Sequence, residues 1–171
     1  MRFALILAAV VSLAAFASYT EFGIHGGLYV PTGDWSDDGE DGLNYGASPM
    51  IGANILVHMP MYAIEGSISY AFINTGYDYD DYSAHMIPVL LGIRTYSGPT
   101  FYGGGLAYHT HSFSWDVETG DDVDESDSEI GAYGNIGTIL PMGGNDVELS
   151  GKLHWVDFDD FWLGLTGGIN F

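Results

Sequence analysis

The segment Phe161 to Phe171, FWLGLTGGINF, constrains the fold more than any other part of the chain. Phe161, Leu163, Leu165, Ile169 and Phe171 fall on one face of an extended strand, interrupted only by Gly167. Trp162, Gly164, Thr166, Gly168 and Asn170 fall on the other. Side chains alternate across a strand, so this segment has one apolar face and one small or polar face. Its length is about that of a tilted strand crossing a bilayer.

Earlier segments repeat the alternation. Glu21 to Pro31 groups Phe22, Ile24, Leu28 and Val30; Leu43 to Val57 groups Leu43, Tyr45, Ala47, Ile51, Ala53, Ile55 and Val57. A third run sets Tyr62, Ile64, Ile68, Tyr70 and Phe72 against Ala63, Glu65, Ser67, Ser69 and Ala71. A fourth, Met86 to Arg94, is apolar on both faces in its middle, and a fifth, Thr100 to Ser114, is blurred by Gly103, Gly104 and Gly105. Runs over 129–140 and 147–155 restore the pattern and lead into the last strand. No segment beyond the N-terminus has the length and apolarity of a membrane helix. A chain of such strands in lipid must close on itself, because hydrocarbon leaves an open sheet edge unsatisfied. The prediction is an all-β, eight-stranded, antiparallel up-and-down transmembrane β-barrel.

The connections alternate in kind. Those at His58 to Met61, Ser97 to Pro99 and Pro141 to Asn145 are short. Those at Thr32 to Gly42, Asn74 to Ser83 and Trp115 to Ser128 are longer and acidic, and Asp157 to Asp160 is short but acidic. With Glu129 at one edge, these acidic connections hold 19 of the 23 carboxylates. A soluble domain scatters its charges over its surface; here they gather at one end, as external loops facing short periplasmic turns would place them. The rival is a secreted soluble β-barrel or β-sandwich binding protein, since period 2 alone does not say which face points inward. The glycine, serine, threonine and asparagine of the second face suit a cramped eight-stranded lumen better than a wet surface.

At the N-terminus, Met1-Arg2, the apolar run Phe3 to Leu13 and the small residues Ala15 and Ala17 predict a signal peptide over 1–17. The barrel domain then spans 18–171, destined for the outer membrane of a Gram-negative-type envelope. Once Arg2 is removed, only Arg94 and Lys152 oppose the carboxylates, a balance that excludes nucleic acid as a partner.

These residues resemble the small outer-membrane β-barrels of the OmpA, OmpX and OmpW type. The resemblance covers 18–171 and is carried by the terminal strand and by the stretch Gly26 to Asp34, GGLYVPTGD, which looks like a first strand and loop of such barrels. It implies a non-enzymatic porin-like barrel whose partners are outer-membrane lipid and, during biogenesis, the barrel-assembly machinery. It also implies that Leu163, Leu165, Ile169 and Phe171 form the assembly signal. A monomer is expected, and no catalytic residue is carried over.

Four charges are predicted to face the lumen: Glu65, Arg94, Glu148 and Lys152. Folding the third and fourth strands back on each other sets Glu65 near Gly92, one diagonal step from Arg94, within pairing reach. The network is read as internal neutralisation, with a gated narrow channel for small solutes as the alternative. His109 and His111 share a face that His25 and His154 join, without a clear carboxylate for a metal site. A Ser112, His109 and Asp116 triad can be drawn, but its spacing has no specificity. Asp34 to Gly39 matches the first half of a calcium loop, yet Tyr45 stands where a bidentate glutamate belongs. No cofactor is expected beyond weak Ca²⁺ or Mg²⁺ at the acidic loops, including Asp121 to Asp127.

Overall fold

The computed structural model describes residues 18–32, 46–73, 82–116, 122–156 and 160–171. They form β1 (Tyr19–Thr32), β2 (Ser48–His58), β3 (Ala63–Ile73), β4 (Tyr82–Ser97), β5 (Thr100–Asp116), β6 (Asp122–Met142), β7 (Asn145–Val156) and β8 (Asp160–Asn170). Each strand pairs antiparallel with the next, and β1 pairs with β8, closing the barrel. The 1–17 segment, the calcium-loop match and most of the acidic connections lie outside the described residues.

Turn chemistry sets the short end. Gly98 has φ 62° in the two-residue link between β4 and β5, as the first position of a type II′ hairpin turn requires. Gly143 and Gly144 have φ 65° and 95°, the signs a type I′ turn needs at both central positions. The terminal Phe171 exchanges both backbone hydrogen bonds with Phe22, sealing the seam between β8 and β1.

The apolar faces point outward. Ile24, Leu106 and Leu165 are 59%, 63% and 67% exposed, within a belt of large apolar side chains around the wall. In water that belt would form an apolar patch far beyond what a soluble monomer carries, so the soluble alternative is set aside. Inside, large side chains stand opposite glycines: His25 faces Gly52 and Gly168, Tyr29 faces Gly164, and Phe101 faces Gly137. A Cβ at Gly52 would stand 2.6 Å from His25 Nε2, and one at Gly164 would stand 2.6 Å from Tyr29 Cε1. The lumen is thus filled by side chains from one strand lying over the bare backbone of its neighbour.

Boundaries shift from the sequence reading most at three places. β2 begins at Ser48, and Leu43 and Tyr45 lie outside the described residues. β4 begins at Tyr82, so Ser83 joins the ladder. The largest change is at β5 and β6: Trp115 to Ser128 was expected as a loop, but pairing runs from Thr100↔Thr138 to Asp116↔Asp122. Strand-compatible serines and threonines on the outer face, with Thr110 Oγ1 and Ser128 Oγ at 3.3 Å, carry the ladder beyond the apolar belt.

Candidate functional site in the lumen

Arg94 is the centre of the lumen. β4 directs it inward, and β3 and β5 present Ala63 and Gly103 beside it, leaving room for the guanidinium. Its Nη2 donates to Glu65 Oε1 at 2.7 Å and its Nε to Glu65 Oε2 at 3.4 Å, a fork on one carboxylate. Its Nη1 donates to Glu148 Oε2 at 2.5 Å, and its Cζ lies 4.0 Å from the centre of the Phe101 ring.

Each carboxylate has further donors. Glu65 Oε2 accepts from Asn135 Nδ2 at 3.0 Å and Tyr133 OH at 3.4 Å, and Glu148 Oε2 from Asn170 Nδ2 at 3.2 Å. The chain of bonds continues: Asn54 Nδ2 donates to Asn170 Oδ1 at 3.2 Å, and His25 Nδ1 lies 3.4 Å from Asn54 Oδ1. An amide oxygen only accepts, so His25 Nδ1 carries the hydrogen, and Nε2 then accepts from Ser69 Oγ at 3.0 Å. From Ser69 through His25, Asn54, Asn170, Glu148 and Arg94 to Glu65, every strand contributes a side chain, β5 through Phe101 and β6 through Tyr133 and Asn135.

The layer is almost closed to water, with Glu148 keeping a small exposed surface. Glu65, Arg94 and Lys152 are 0%, 1% and 4% exposed. Lys152 belongs to the same inward face but makes no ion pair within 4.0 Å among the described residues; it acts on Glu65 and Glu148 through space. Two carboxylates and two bases leave the layer neutral, as charges removed from water must be. Toward the short-turn end the lumen is floored by rings. His58 stacks between Tyr19, at 4.1 Å, and Tyr96, at 5.6 Å, and its Nε2 lies 3.0 Å from Glu21 Oε2. Toward the loop end, Tyr29, Met50, Met86, Val156 and Trp162 pack into a buried apolar cluster.

The histidines sit below and beside that cluster. His109 Nε2 and His154 Nδ1 are 3.2 Å apart, with one ring donating and the other accepting. His111 Nε2 lies 3.6 Å from Glu129 Oε2. Among the described residues no three histidines and carboxylates converge on one point. The Ser112, His109 and Asp116 triad is not assembled: His109 points into the lumen, and Ser112, three positions along the same strand, points outward. The sequence reading did not join His25, Asn54, Ser69, Phe101, Tyr133, Asn135 or Asn170 to the four charges. Their signal was inward parity combined with hydrogen-bonding side chains, but their meeting depends on registers between strands far apart in the chain.

No family model and no curated protein matches the chain. Solved structures do. Neisserial surface protein A aligns with TM-score 0.57 at 10% identity, over 90% of this chain and 97% of its own. Ail, the attachment invasion locus protein of Yersinia pestis, crystallised with the heparin analogue sucrose octasulfate, gives 0.58 at 13%, over 89% and 97%. The outer membrane protein OprG of Pseudomonas aeruginosa gives 0.52 at 12%, over 88% and 95%. The chain therefore has the fold of the small eight-stranded outer-membrane β-barrels.

Proposed function

We propose that this protein is a non-enzymatic outer-membrane barrel, exported by the 1–17 signal peptide, that displays an acidic surface at its loop end. The observation that carries this is the nearly closed charge layer: an open conduit wets its lining charges, whereas Glu65, Arg94 and Lys152 have almost no exposed surface. In this reading the network laces the wall together, and the functional surface is outside. Its partners are bilayer lipid and, through Leu163, Leu165, Ile169 and Phe171, the barrel-assembly machinery; the working unit is a monomer. The acidic loops collect Ca²⁺ or Mg²⁺ weakly. The sulfated ligand of Ail does not transfer, because both bases of the barrel point into the lumen and the loops carry none.

Planar-bilayer recordings test this directly. The expected result is no steady conductance from the wild-type barrel. Steady openings that Arg94→Ala abolishes would establish the second reading, a narrow channel governed by Glu65, Arg94, Glu148 and Lys152. One observation favours that alternative: Lys152 shares the inward face of β7 with Glu148, has no ion pair within 4.0 Å among the described residues, and offers Glu148 a second partner.

A further inference from the structure

On the loop side of the charge layer the lumen carries a second buried polar group, the facing pair His109 and His154. β5 and β7 turn both rings inward, and neither ring has exposed surface. His109 Nε2 stands 3.2 Å from His154 Nδ1, with the ring centres 5.4 Å apart. The far nitrogens, His109 Nδ1 and His154 Nε2, have no hydrogen-bond partner among the described residues. Buried polar atoms are paired as a rule, so two orphans on one facing pair point to a missing occupant.

The side chains beside the pair are soft. Met86 stands directly across the ladder from His111, which makes it a diagonal neighbour of His109 on the same inward face. A diagonal neighbour is within reach of a long side chain. Met86 is fully buried and packs with Met50, Tyr29 and Trp162, and the Tyr29 ring stands edge-on to His154 at 4.8 Å. Imidazole and thioether together favour Cu(I) over Ca²⁺ and Mg²⁺, which take oxygen. Zn²⁺ asks for four ligands in a structural site. The spacing agrees. A metal–imidazole bond is about 2 Å, so two nitrogens sharing a cation stand roughly 3.3 Å apart at a tetrahedral angle and about 4 Å apart in line. A small rotation of either ring reaches that range. A single charge is also less costly to bury than a double one. Glu129, across the ladder from His109 and with its Oε2 3.6 Å from His111 Nε2, lies nearby to offset it.

We infer that His109 and His154, with Met86 as third ligand, form a site for a soft monovalent cation, Cu(I), inside the lumen. The cation takes the place of the hydrogen between the two rings. Whichever ring donates that hydrogen then carries it on its far nitrogen, His109 Nδ1 or His154 Nε2. Both rings stay neutral, and no proton is released. Copper enters and remains as Cu(I), so no electron is exchanged. The site lies wholly within the lumen and does not depend on which outer surface meets a partner.

The test uses the full chain refolded in zwitterionic detergent micelles in chloride-free buffer. The probe is silver(I) nitrate, a redox-inert cation of the same charge and ligand preference. Silver is supplied both before and after refolding, so that a closed loop end does not hide the site. The expected result is one equivalent per chain bound more tightly than any other, which Zn²⁺ in about tenfold excess does not displace. The nitrogen resonances of His109 Nε2 and His154 Nδ1 should shift as it binds. His154→Phe should remove that equivalent, and Met86→Leu, which nearly keeps the volume, should weaken it at least about tenfold. Met61→Leu, at an exposed turn, should leave it unchanged. No such equivalent, or one that leaves both nitrogen resonances in place, would overturn the inference even if His154→Phe does not fold. Displacement by Zn²⁺, wild-type affinity in Met86→Leu, or loss of the equivalent in Met61→Leu would overturn it as well.

Discussion

At the scale of single residues, Arg94 has the largest consequence. It satisfies two buried carboxylates at once, so Arg94→Ala strands both of them away from water. Removing one partner from a buried ion pair costs about 3–5 kcal/mol, and urea unfolding in detergent should show a loss of that order. Glu65→Gln with Arg94→Met removes the charges together and should cost clearly less than Arg94→Ala. Equal losses would mean that the charges are not what the network contributes. The pairing of Glu65 with Arg94 was legible in sequence, because β3 and β4 are joined by one connection and can be folded on paper. The link from Asn54 to Asn170 was not. It requires the closing register of β1 on β8, between residues more than a hundred positions apart, as in Gly23↔Asn170. Lys152 lies on the inward face where it was expected, but a face does not say that its ammonium has no ion pair among the described residues.

Among the elements, glycine placement separates the two sides of the wall. Gly52→Val would drive carbon into His25 and the Ile68 carbonyl, so overpacking should cost about 1–3 kcal/mol. Gly151, on the outer face, has no heavy atom within 4 Å of an added Cβ, and Gly151→Ala should leave the unfolding midpoint nearly unchanged. A matched loss at the two sites would contradict the inward and outward assignment. Strand existence and facing were legible wherever apolar and small residues alternate, the blurred fifth strand included: Tyr102, Leu106 and Tyr108 face out. The extent of β5 and β6 was not. Aspartate is depleted in strands and signals turns, so an acidic run read locally as loop. The ladder between two serine- and threonine-rich strands overrides that preference, and such pairing has no local signature.

The whole molecule turns apolar residues outward around a polar lumen. A base on that face should be costly in proportion to its depth. Leu165→Arg should destabilise the barrel by about 2–4 kcal/mol in lipid vesicles if it lies near the midplane. A neutral result would mean that Leu165 does not meet hydrocarbon. Fold class was the most legible property, because the period, the terminal strand and the gathering of carboxylates at one end agree. Partners were the least legible, since they depend on loop chemistry and on lumen side chains that meet only through the registers. The most direct test of the central claim is refolding of residues 18–171 with and without detergent, read by near-UV circular dichroism. Ordered aromatic signals that form only with detergent are the expected result. A monomer that acquires the same signals in plain buffer would contradict the lipid-facing barrel.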